Sequence, residues 1–167
     1  MLTQETAILQ LLESVKDPEI PVLSIIDLGI VRSVVITNVN DDQFESEVSV
    51  RVTPTYSACP AVDMINAEIK FVLTTAGYRH IKIEQVLFPA WTTDWMTESG
   101  KEKLKTYGIA APIGKSCDQT HIEDLKVVCP QCGSDQTTLI SAFGSTACKA
   151  LFKCSNCLEP FDYFKCH

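Results

Sequence analysis

No apolar run in this 167-residue chain approaches the ~18 residues needed to cross a membrane, so no membrane span is expected. The first residues lack a basic stretch followed by an apolar core, and no secretory signal peptide is expected either. Cations are scarce: 14 Lys and Arg stand against 21 Asp and Glu, a net charge of −7. Residues 1–107 hold 9 basic and 15 acidic side chains, and residues 129–167 hold 3 of each. A nucleic-acid surface must neutralise phosphates with Lys and Arg, so nucleic acid is not the expected partner. An acidic surface fits protein partners or plain solubility. The Gly-rich dinucleotide fingerprint is absent, as is any Glu-x-x-His pair of the kind a carboxylate-bridged di-iron bundle uses. Flavin, nicotinamide and oxygen-activating chemistry of those kinds therefore have no residues to rest on. Of three histidines, His80 falls at an expected strand start and His121 in an expected linker. Neither provides a local base for a Cys–His hydrolase. There is no internal repeat beyond a doubled C-x-x-C and no low-complexity segment.

Cysteine, in contrast, is plentiful at eight residues. Without a signal peptide, so many thiols point to a reducing compartment, the cytoplasm, and to metal or thiol chemistry rather than disulfides. Four of them read Cys129-Pro-Gln-Cys132 and, 21 residues later, Cys154-Ser-Asn-Cys157. Each C-x-x-C puts two sulfurs on one tight turn, and the intervening segment lets the second turn complete a tetrahedron around one ion. Gly133 follows the first pair, where such a turn needs a positive φ. Four thiolates accept zinc or iron; an isolated ribbon of this kind points to Zn2+. The 39 residues from 129 to 167 are too few for a self-sufficient core, so the metal is expected to supply much of their stability.

The remaining chain reads as α-β-β-α-β. Ile8, Leu9, Leu11 and Leu12 lie at helical spacing, with Thr3 as an N-cap, and Pro18 and Pro21 end the segment. Residues 30–36 and 44–52 read as strands of a hairpin across a polar turn at 38–42, the second strand alternating between apolar and charged residues. Residues 61–75 form a helix with Val62, Ile65, Ile69 and Val72 on one face and Asp63, Asn66, Lys70 and Thr74 on a face read as solvated. Gly77 ends that helix. A third strand over 81–88 precedes a loop in which Trp91 and Trp95 need an apolar support, then a charged helix over 98–107. The expected class is α+β: a small domain with a three-stranded sheet over 1–107, a linker over 108–128 and a zinc ribbon over 129–167.

Cys59 precedes Pro60, and proline suits a first helical position. Cys59 is thus expected at the N-cap, where free N–H groups and the helix dipole stabilise a thiolate and lower its pKa. It is either a reactive thiol or transient metal contact, or a cap cysteine packed under its loop. Asp17 and Glu19 either touch a metal or cap and orient the Asp17-Pro18-Glu19 turn. Asp27 either bonds the Cys59 loop or begins the turn before Gly29.

The motifs Asp17-Pro18-Glu19, Asp27-Leu28-Gly29 and Thr53-Pro54-Thr55 leading to Cys59-Pro60 resemble the small α/β domain of iron–sulfur assembly proteins related to SufT. That resemblance implies work in maturing iron–sulfur enzymes, with the loop cysteine as the reactive position. Residues 89–96 and 143–166 are similar to the PaaD family, also called PaaJ. It is the accessory component of the bacterial phenylacetyl-CoA 1,2-epoxidase system of aerobic phenylacetate breakdown. The family implies a maturation role toward the epoxidase oxygenase or reductase components, with no oxygenase centre in this chain. The alternative is a zinc-binding structural or regulatory subunit. Cys148 and Cys166 are surplus to the ribbon's four ligands. Folding back around the second C-x-x-C brings residue 148 opposite 164–166. With Cys117, and with Cys59 as a further candidate, these two thiols make up a second, open site for a labile iron–sulfur cluster, or are simply half-buried cysteines of a small ribbon.

Overall fold

The computed structural model describes residues 4–37, 45–113 and 122–165. Thr3, the turn at 38–42, Cys117, His121 and Cys166 lie outside them, so the expected cap, turn and open thiol site fall there too. The chain divides into two compact units, Met1–Trp91 and Thr92–His167.

In the first unit, helix α1 (Gln4–Leu12) buries Ile8 and Leu12 one turn apart. Strands β1 (Val31–Thr37) and β2 (Glu47–Val52) pair antiparallel, as the alternation predicts. Helix α2 (Ala61–Thr75) then crosses over, so that β3 (His80–Gln85) joins β2 in parallel and the sheet order is β1-β2-β3. α2 buries Ala61, Ile65, Ile69 and Leu73, a stripe of i, i+4 steps, with Val48, Val50 and Val52 of the central strand among the unit's other buried residues. Gly77, at φ 101, lets the chain leave the helix, its N–H bonded to the Thr74 carbonyl. Trp91 finds its support at 3% exposure and donates from Nε1 to the Leu28 carbonyl at 2.8 Å.

The second unit begins earlier than the sequence reading places it. Helix α3 (Glu98–Tyr107), capped by Thr97 Oγ1 on the Gly100 N–H at 2.9 Å, belongs to it, not to the first domain. The expected linker is in part ribbon. Gly108, at φ 93, turns the chain so that Ala110 donates to the Asp162 carbonyl at 2.8 Å and accepts from the Phe164 N–H at 3.0 Å. Val127 is fully buried in the ribbon core. Strands β4 (Thr137–Ser141), β5 (Lys149–Cys154) and β6 (Pro160–Phe164) form an antiparallel sheet in that order. Its core packs Phe152 against Phe161, with ring centroids 6.0 Å apart, and edge-on against Tyr163 at 5.7 Å.

Candidate functional site

The two C-x-x-C turns are built alike. In the first, Gly133 at φ 75 lets its N–H reach the Cys129 carbonyl at 2.9 Å, while the Cys129 N–H donates to Ser134 at 2.9 Å. In the second, Leu158 takes the equivalent left-handed position at φ 66, and the Cys154 N–H donates to Glu159 at 3.0 Å. These turns bring the Sγ atoms of Cys129, Cys132, Cys154 and Cys157 within 4.8 Å of one another. Cys129 and Cys157 are 3.7 Å apart, Cys132 and Cys154 3.6 Å. A Zn–S bond of about 2.3 Å places tetrahedral sulfurs about 3.8 Å from each other, so the donor set fits one tetrahedral thiolate-bound ion. Backbone N–H groups of Cys157 and Asn156 point at Cys154 and draw its thiol down to about 6. The Ser134 N–H and the Asn156 amide likewise lower Cys132. Such donors stabilise thiolate, the form that binds metal. Cys129 and Cys154 also belong to the buried core, which ties the cluster to the sheet.

Cys148 is buried, with Sγ 3.0 Å from Thr146 Oγ1, and its carbonyl accepts from the Lys165 N–H at 3.0 Å. The pairing of 148 with the stretch beginning at 164 is therefore as expected, while Cys166 itself lies outside the described residues.

In the first unit, the loop after β2 delivers Cys59 to the start of α2. The helix begins at Ala61 with Pro60 as its cap residue, so Cys59 stands one position earlier than expected. The thiol is half-buried in a narrow cavity of about 10 Å3. Asp17, Ile30, Val52, Pro54 and Val62 are among the residues lining it. The expected fall in pKa does not occur. Burial pushes the Cys59 thiol up, with the Glu19 and Asp17 carboxylates adding to it, and the Ala61 N–H and Tyr56 hydroxyl only partly offset them. An apolar wall and two nearby negative charges outweigh the helix end.

Asp17, 7% exposed, is also a turn cap: its Oδ1 accepts from the Glu19 and Ile20 N–H groups, both at 2.8 Å. These bonds are those of the expected cap, and Asp17 also lines the Cys59 cavity. Asp27 Oδ2 accepts from the Ser24 N–H at 3.0 Å and Ser24 Oγ from the Asp27 N–H at 2.9 Å, which locks the turn before Gly29. Asp27 does not line the Cys59 cavity. Sequence reading placed Asn66 on a solvated face. Its Oδ1 is instead buried beside the same cavity, with no hydrogen-bond partner among the described residues. The signal in the sequence is the i, i+4 step within the helix from Val62, a residue of the apolar face that lines the same cavity.

Comparison with known proteins gives two family matches. The iron–sulfur cluster assembly protein family matches residues 5–84, and the PaaD zinc beta ribbon domain matches residues 114–165. A protein of Escherichia coli, named as a putative subunit of 1,2-phenylacetyl-CoA epoxidase, is 50% identical over 93% of this chain and 89% of its own. An "Fe-S protein maturation auxiliary factor" of Porphyromonas gingivalis is 36% identical over 62% of this chain and 92% of its own. Among solved structures, a domain of unknown function from Bacillus anthracis, DUF59, covers 60% of this chain and 90% of its own at 28% identity and a TM-score of 0.53. No helix among the described residues is long and apolar enough to cross a membrane. With an assembly-type domain carrying a half-buried cysteine, a four-thiolate ribbon, and half of the aligned residues shared with the Escherichia coli protein, the chain belongs to the PaaD family.

Proposed function

We propose that this protein is an accessory maturation factor for phenylacetyl-CoA 1,2-epoxidase, assisting assembly or insertion of an iron–sulfur cluster or iron in an oxygenase or reductase component. It acts in the cytoplasm and carries no oxygenase centre of its own. The observation behind this reading is Cys59: a half-buried thiol in a fold of the cluster-assembly type, flanked by Asp17 and Glu19. The cargo is a substrate that Cys59 contacts in passing. Cys129, Cys132, Cys154 and Cys157 hold a resident ion, for which Zn2+ is the preferred identity, and the ribbon serves docking and stability. Cys148, with Cys117 and Cys166, is assigned a lesser part as extra thiols for a labile cluster.

The test is co-expression of the epoxidase components with and without this protein. Reductase cluster content, oxygenase iron content and ring-epoxidising activity are expected to fall in its absence and with Cys59→Ala. Unchanged values in all three would sink the proposal. One observation favours a second reading. The raised Cys59 pKa keeps the thiol protonated, as in a structural or regulatory subunit whose zinc is permanent and whose Cys59 only packs. Full activity of Cys59→Ala in a complex of fixed stoichiometry would establish that alternative.

A further inference from the structure

The Cys59 cavity contains a polar group that neither the cap nor the thiol chemistry uses. Cys59, Val62, Ile65 and Asn66 face it from the start of α2 and its first two turns, and Asp17 closes it from the turn after α1. Asn66 Oδ1 has no partner among the described residues, although buried amide oxygens are nearly always paired. The cavity, about 10 Å3, has room for about one water molecule. A water placed there has two hydrogens to give and one acceptor already waiting.

We propose that Asn66 is a positioning residue for Cys59, holding one water in this cavity that hydrogen-bonds the sulfur. In the thiol form, the S–H donates to the water and the water donates to Asn66 Oδ1. In the thiolate form, the water donates one hydrogen to the sulfur and the other to Asn66 Oδ1. The same water thus serves both forms, and the proton leaves Cys59 through it to solvent. Glu19 and Asp17 act on the thiol through their charge and Tyr56 through a hydrogen bond, while the polar residues lining the cavity beside Cys59 are Asp17, Thr55 and Asn66, of which Asn66 alone is an amide. The inference rests on the proposed role only in taking Cys59 as the working thiol.

The test is the pH profile of Cys59 alkylation by iodoacetamide in the full-length, metal-loaded protein. Trypsin cleavage after Arg51 and Lys70 releases residues 52–70, which contain Cys59 and no other cysteine, so mass spectrometry reads this thiol alone. Asn66→Leu removes the acceptor and fills the space. Alkylation at pH 8 is expected to slow about tenfold, the effect of losing one hydrogen bond to a charged group, with the profile moved to higher pH. Asn66→Ser leaves space for water and a hydroxyl, and is expected to recover most of the rate. Profiles of both variants superimposable on the wild type would overturn the proposal, as would equal slowing in both. Thermal unfolding of each variant identifies any general loss of fold, in which case Asn66→Ser decides. Because no epoxidase component is present, this result is independent of the co-expression experiment: a shifted profile with unimpaired maturation would count against the role, not against the water.

Discussion

Asp17 serves two purposes, and one atom separates them. Its Oδ1 takes two backbone N–H groups, and its negative charge helps hold the Cys59 thiol protonated. Asp17→Ala removes the acceptor and leaves the Ile20 N–H buried and the Glu19 N–H half-buried without it. At about 1–3 kcal/mol for each stranded donor, the loss comes to roughly 2–6 kcal/mol, toward the lower end because the Glu19 N–H is only half-buried. Asp17→Asn keeps an Oδ1 in place and loses only the charge assistance, about 1 kcal/mol. In a chain of this length about 1 kcal/mol moves Tm by roughly 2–4 °C, so the two variants are resolved by thermal unfolding at pH 7. Cys59 moves the other way. Removing a carboxylate that raises its pKa favours thiolate, so Asp17→Asn is expected to speed iodoacetamide alkylation at pH 8. Glu19→Gln, which removes the stronger of the two negative influences, is expected to speed it more. Equal destabilisation by Asp17→Asn and Asp17→Ala would refute the capping account. Slower or unchanged alkylation in both Asp17→Asn and Glu19→Gln would refute the electrostatic one.

Cys59 also makes stability depend on pH. Its folded pKa lies above the ordinary 9.0, so the folded state holds the proton longer; the contribution is complete below 9.0 and is lost as pH rises past it. Urea unfolding between pH 7 and 10 should show the wild type losing stability relative to Cys59→Ala at the alkaline end. Gly133→Ala meets open space but forces an L-residue to φ 75, and is expected to cost about 1 kcal/mol by thermal unfolding, whereas Leu158→Gly trades relieved backbone strain against lost contacts and chain entropy and should be near neutral. Cys154→Ser, or a strong chelator, is expected to release the ion and abolish the near-ultraviolet circular dichroism of the ribbon aromatics, checked together with metal analysis; retained dichroism in the metal-free protein would show that the core stands alone.

The amino-acid sequence by itself determined what is local. Periodicity set α2 at residues 61–75 and α3 at 98–107, and alternation set the β1–β2 pairing, because side-chain period follows directly from backbone geometry. The doubled C-x-x-C specified the four-thiolate site for the same reason: each half is one turn. Tertiary structure decided what depends on neighbours distant in the chain. The position of residues 108–113 was not legible, because Ala110 gains its place from two hydrogen bonds to β6, some fifty residues on. β4 escaped the reading, since Thr137–Ser141 alternates weakly and is fixed by pairing with β5. Cys59 shows the difference most plainly. Its helix-end position was readable and argued for a lowered pKa. The apolar wall and the two carboxylates that raise it, and the buried Asn66 oxygen beside it, assemble from four separate stretches of chain, and desolvation is a property of that assembly.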